Sequence, residues 1–201
     1  MNLGYVISTI IASLVLLSLV ALNSRIMRGS GEQTLYTMAK IQSDMVLDYM
    51  KDDMRNMGYQ VTGNPIVFAD SNRIRFMVRF EGNEDVIAID WWFDRDAPAT
   101  GRNPNVRPLY RRMSIHDPAE DLNYNPATDA LSEPVGTGVV DFTLEYLDAE
   151  REIIDNPETQ LENIRQIRMN LIVESLDSYD PARFERSTWR GEITPFNLRP
   201  N

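Results

Sequence analysis

The sequence predicts an α+β fold, a long N-terminal helix packed on a mainly antiparallel β-sheet domain. Three observations predict it. Residues 5–22 (YVISTIIASLVLLSLVAL) hold no charge, no glycine and no proline, as expected of a helix that is apolar on every side. Helical periodicity then continues to residue 57, with apolar residues three and four apart on one face. From Val61 onward the period shifts to two, and turn-forming clusters punctuate short apolar runs.

The eighteen residues of the apolar stretch rise roughly 27 Å as a helix, close to the thickness of bilayer hydrocarbon. Residues 1–24 are therefore read as a transmembrane helix. A secretory signal peptide would start basic, carry a shorter apolar core and end in a small-residue exit. Here only the α-amino group precedes the run and Asn23-Ser24-Arg25 follows it, so removal by signal peptidase is not expected. Residues 25–58 are read as the amphipathic continuation of the same helix. Met38, Ile41, Met45 and Tyr49, with Val46, Met50, Met54 and Met57 beside them, form a stripe expected to pack on the dry face of the sheet, while Gln42, Ser43, Asp44, Asp48, Lys51, Asp52 and Arg55 lie between. A docking role for the methionine run is the alternative to core packing. Gly29 and Gly31 mark a candidate kink, and Gly58 stands where a helix end commonly takes a left-handed residue.

Residues 59–201 are read as a β domain. Residues 66–69 form a short strand, and residues 73–80 alternate Ile74, Phe76, Val78 and Phe80 with Arg73, Arg75, Met77 and Arg79, which predicts a strand with one wet face. Residues 86–93 return as its hairpin partner and end in Trp91-Trp92-Phe93, so one indole is expected in the core and the other under a loop or partner. A strand near residues 109–114 follows, then a long loop over residues 116–138, a length usually tied to function or mobility. Residues 139–147 and 164–174 are the later strands, with residues 152–154 beginning a return between them. Trp189, Ile193 and Phe196 predict a packed tail.

Composition excludes several functions. Thirty acids against twenty bases give a net charge of -10, and the only lysines are Lys40 and Lys51, a balance that argues against nucleic acid as a partner. There is no cysteine and one histidine, His116, so neither disulfides nor thiolate metal sites are available. No hydrolase or phosphate-loop motif occurs. Carboxylate pairs such as Asp52-Asp53 and Glu120-Asp121 are read as solvated faces, and His116 as a loop residue. No enzyme is expected. One polar constellation remains. Asp121, Asn123, Asn125 and Asp129 fall at relative positions one, three, five and nine, the spacing at which oxygens begin to wrap calcium. Pro126 stands where the turn glycine belongs and Ser132 at position twelve, so a plain solvated Asx-rich loop is the competing reading, and calcium is the one cofactor left open.

In order, four stretches resemble type IV pilin-like proteins, and among them minor pilins and the minor pseudopilins of type II secretion. These are the apolar helix within five residues of the start, residues 48–59 (DYMKDDMRNMGY), residues 69–76 with 86–93, and residues 138–148 with 164–171. The resemblance implies a pilin-like fold and a structural filament subunit for a pilus, adhesion or protein transport. Its implied partners are other pilin-like subunits met through the N-terminal helix (Leu14, Leu16, Leu17 and Leu19), an inner-membrane assembly platform, and the lipid bilayer before assembly. It implies a single pass through the cytoplasmic membrane with the domain on the periplasmic side. Arg25 and Arg28 alone would place that domain in the cytoplasm. Gly4-Tyr5 is the candidate leader cut, although Met1–Gly4 is short and uncharged. The family's glutamate at mature position five is missing, since the position is Thr9 after a cut and Tyr5 without one. That absence favours a tip or initiation subunit. Some pseudopilins also use a calcium loop, which bears on residues 121–129. The alternative from another class is a membrane-tethered binding module that recognises a partner through residues 116–138 and forms no filament.

Overall fold

The computed structural model describes residues 3–82, 84–99, 101–118, 122, 124–179 and 183–198. Helix α1 spans Leu3–Asn56, 54 residues, or about 81 Å at 1.5 Å per residue. It runs unbroken through Gly29 and Gly31. A glycine costs a helix interior only about 1 kcal/mol relative to alanine, too little to break a helix supported on both sides. The helix ends at Gly58, whose φ of 74° suits a residue without a β-carbon. Asn197 Nδ2 donates to the orphan carbonyl of Met57 there, at 2.9 Å.

The face that α1 buries keeps half of the expected stripe, Val46, Met50, Met54 and Met57, and leaves the other half out. Ala39, Ser43, Val46, Leu47, Met50, Asp53, Met54 and Met57 are buried, whereas Met38, Ile41, Met45 and Tyr49 are 54–57% exposed. At 100° per residue the two sets lie roughly 130° apart around the helix. Residues three and four apart occur on both flanks, so spacing alone did not choose between them. The domain takes the flank with Ala39 and Ser43, whose small side chains permit close approach.

Five antiparallel strands form the first sheet in the order β1 (Ile66–Asp70), β2 (Arg73–Val78), β3 (Ile87–Phe93), β4 (Leu109–Ile115) and β5 (Ser132–Pro134). The second holds β6 (Val139–Leu147), β7 (Gln166–Glu174) and β8 (Arg186–Ile193). Two of these strands went unpredicted. β5 lies inside the expected 116–138 loop, and β8 is an edge strand whose alternation is carried by little more than Trp189 and Ile193, paired with Leu171 and Ile167. The expected return at residues 152–154 reduces to a single bridge between Leu147 and Ile153, because Asp148 Oδ1 accepts from the backbone amides of Glu150 and Glu152 and holds the chain in a turn.

One core unites the buried helix flank with the inner faces of both sheets. The sheets are also stitched by polar contacts. The buried Tyr146 hydroxyl lies 2.9 Å and 3.1 Å from the carbonyls of Asp70 and Arg73, and the Leu144 amide donates to Ser71 O at 2.7 Å. Burial, with Asp70 nearby, pushes the Tyr146 phenol well up, so it remains a donor.

Candidate assembly interface

The front of α1 is apolar and bare. It is the one helix among the described residues long and apolar enough to cross a membrane, with mean hydropathy 2.5 over its best window and none of that window buried. Leu14, Leu16, Leu17 and Leu19 are 58–65% exposed. Gly4 and Tyr5 lie in the first turns of the same helix. Behind the span, Met38, Ile41, Met45 and Tyr49 continue an apolar flank along the helix. Met45 and Tyr49 also wall a groove of about 370 Å³ that is completed by Val46, Pro134, Val135 and Gly136. The methionine run therefore divides between core (Met50, Met54, Met57) and surface (Met38, Met45), and Met45 lines that groove.

The helix is fixed on the first sheet through a carboxylate. Asp53 accepts from Trp91 Nε1 at 2.8 Å and, in a two-pronged pair, from Arg111 Nε and Nη2, both at 2.7 Å. Asp53 is 8% exposed, so the solvated reading fails for it and holds only for Asp52, whose side chain is 74% exposed. The missed signal was position. Asp53 falls three after Met50 and four before Met57, within an apolar stripe, where a carboxylate must be paired.

The arginine face of β2 is also not wet. Arg73 and Arg75 are buried, and Leu122 and Tyr124 lie against Arg73. Arg73 holds Asp90 with Nε at 3.1 Å and Nη2 at 2.6 Å, and its Nη1 donates to Leu122 O at 2.7 Å. The Tyr124 hydroxyl donates to Asp90 Oδ2 at 2.7 Å. The Arg73 guanidinium stacks near Trp92, Tyr124 and Phe68, at 4.3, 5.0 and 5.1 Å from their ring centres. Burial pulls the Arg73 guanidinium down, but the Asp90 hydrogen bond and charge raise it above its usual value. Burial and Asp90 push the Tyr124 phenol up, so it stays protonated. Trp91 is in the core and Trp92 lies edge-on to Tyr124, one indole to each face.

Of the calcium-spaced residues, Asp121 and Asn123 lie outside the described residues. Asp129 Oδ2 accepts from Arg112 Nε at 2.8 Å and from Ser132 Oγ at 2.9 Å, while Asn125 Oδ1 accepts from the Ala127 amide at 2.9 Å. Those two residues spend their oxygens on an arginine and on a turn rather than on a common centre, which fits a cation poorly. Among the described residues no three of His, Cys, Asp and Glu cluster as metal ligands. Glu120 is likewise outside the described residues, and His116 is half-buried, its amide paired with Val86 O at 2.7 Å.

An open groove of about 600 Å³ lies on the domain, lined by Ile87, Arg112, Met113, Ile115 and Leu131. Comparison with known protein families and with curated proteins returns no match.

Proposed function

We propose that the chain is a structural, non-enzymatic subunit of a pilin-like filament, either a type IV pilus or a type II secretion pseudopilus, acting as a minor tip or initiation subunit. It is held first in the cytoplasmic membrane with its β domain outside, and then passes, through the assembly platform, into contact with other pilin-like subunits. One observation carries this reading. The apolar surface of α1 does not stop at the bilayer. A span needs about 20 residues, yet Met38, Ile41, Met45 and Tyr49 stay exposed at roughly 24–40 Å past Leu22 along the helix. Lipid cannot cover that flank. Sister helices laid alongside α1 would cover the span and the flank together.

The test is Leu16→Arg or Leu17→Arg. A charge at the centre of the span costs a few kcal/mol or more on insertion scales, so each variant should lose membrane retention and filament incorporation together. Normal incorporation would sink the proposal. Protease added to spheroplasts should reach the domain, and full protection would place it in the cytoplasm and end the filament reading. A membrane-tethered binding module is the second reading, favoured by the open apolar groove at Ile87, Met113, Ile115 and Leu131. It predicts a monomer that never enters a filament.

A further inference from the structure

Sheet strands β7 and β8 pack on α1, and residues 175–179, which follow β7, lie at the end that faces the span. At the far end, Asn197 just after β8 holds the carbonyl of Met57. At the near end, Tyr179 reaches back to Gly31, where a β-carbon would collide with the phenol ring. The helix thus has a glycine where the ring lies against its backbone. Gly31, Glu32 and Leu35 are partly covered there while the residues before them are bare.

This end of the domain is built rather than loose. Glu174, at the end of β7, accepts from Asn103 Nδ2 and Asn105 Nδ2, both at 3.0 Å, and from Arg186 Nε at 3.0 Å and Nη2 at 2.5 Å. Asn103 Nδ2 also donates to Ser175 O at 2.9 Å, and Ser175 Oγ donates to Asp177 O at 2.8 Å. Arg102 pairs with Asp177 at 3.0 Å. Beyond this clasp the chain presents Leu176 and Tyr179, 36% and 58% exposed.

Position along the helix then decides what these side chains meet. Apolar surface persists through Ile26 and Met27, both exposed, so the hydrocarbon edge falls between residues 22 and 27. Gly31 is then roughly 6–13 Å beyond that edge, and the headgroup layer occupies about 5–8 Å on each side of the hydrocarbon. Tyrosine favours this zone because its ring is apolar and its hydroxyl is not. Arg25 and Arg28 are exposed on the same stretch of helix, where phosphates would meet them.

We propose that residues 176–179, just after β7, form a lipid-contact surface: in the membrane-held subunit, Leu176 and Tyr179 rest in the phospholipid headgroup layer, with Tyr179 seated on the helix at Gly31. This rests on the membrane-anchored reading of α1 and is independent of filament formation. The domain would then stand on the bilayer at a fixed height instead of swinging on its helix.

The chain has no cysteine, so single nitroxides can be placed at Ser178→Cys beside the surface and at Ala149→Cys in the turn at the opposite end of the second sheet. The full-length chain is reconstituted in nanodiscs of phosphatidylcholine and phosphatidylglycerol doped with a nickel-chelating lipid, and relaxation by headgroup nickel is read by electron paramagnetic resonance. The label at 178 should relax several-fold faster than the label at 149. Gly31→Leu, which displaces the phenol, should lower the enhancement at 178 while the thermal midpoint of the domain stays close to that of the parent. Equal relaxation at the two positions overturns the proposal alone. An unchanged signal in a folded Gly31→Leu chain overturns the seating of Tyr179, and failure of the chain to enter the nanodisc overturns both this surface and the anchored reading.

Discussion

Replacing Asp53 by alanine removes one carboxylate and strands two groups. Trp91 Nε1 lies in a fully buried side chain and loses its acceptor at 2.8 Å, and Arg111 loses a two-pronged partner at 2.7 Å. Breaking a buried pair by deleting one partner costs roughly 3–5 kcal/mol. Arg111 keeps some solvent, with 22% of its side chain exposed, which places the loss near the lower end, about 3 kcal/mol. At roughly 2–4 °C per kcal/mol for a chain of this size, the midpoint falls by about 6–12 °C. Asp53→Asn retains an acceptor for the indole but not the charge, so its loss is smaller, about 1–2 kcal/mol. Thermal melts of the detergent-solubilised chain, followed by tryptophan fluorescence, measure both. If Asp53→Ala melts within about 1 kcal/mol of the parent, the size of most surface substitutions or a little more, then the carboxylate does not fasten helix to sheet.

Three further outcomes follow from the same contacts. Tyr124→Phe deletes the 2.7 Å bond to Asp90 and should cost about 1.5–3 kcal/mol as a charge-assisted bond, with faster cleavage within residues 116–138 by limited proteolysis; an unchanged cleavage rate would show that the segment is held elsewhere. Burial pushes the Glu174 carboxyl up, but the Arg186, Asn103 and Asn105 hydrogen bonds outweigh it and hold the group below its usual value of 4.5. Its contribution is therefore complete above the unfolded value and is lost as pH falls through the lower folded one. The parent should lose stability relative to Glu174→Gln as pH drops below about 4.5, and parallel curves for the two chains would contradict this. Calcium added to the chelator-treated chain should leave its melting temperature unchanged, since Asp129 is paired with Arg112; a rise of several degrees, abolished by Asp129→Asn, would assign the 121–129 segment to a cation.

The helix and most strands were legible because their signals are local. The uncharged run of residues 5–22 and the alternation in β2, β6 and β7 depend only on neighbours in sequence. What escaped depends on partners. Two apolar flanks on the rear of α1 satisfy the same spacing, and only the sheet shows that Ala39, Ser43 and Met50 face inward while Met45 and Tyr49 do not. Arg73 looks solvated on β2 until Leu122, 49 residues away, and Tyr124 cover its guanidinium. β8 carries too few apolar residues to announce a strand, and it forms because β7 offers an unpaired edge. Gly31 reads as a weak point in a helix and serves instead as the seat for Tyr179.

The most direct measurement is site-specific photo-crosslinking from the rear of α1 in cells that make the chain. A benzophenone side chain is placed singly at Met38, Ile41, Met45 or Tyr49 on the exposed apolar flank, and at Lys40 or Asp44 on the exposed polar one. A filament subunit gives crosslinks from the apolar flank to the N-terminal helix of a second copy or of another pilin-like subunit, identified by mass spectrometry, and few from the polar flank. Equal yields from both flanks, or no protein crosslink from either, would contradict assembly through this helix.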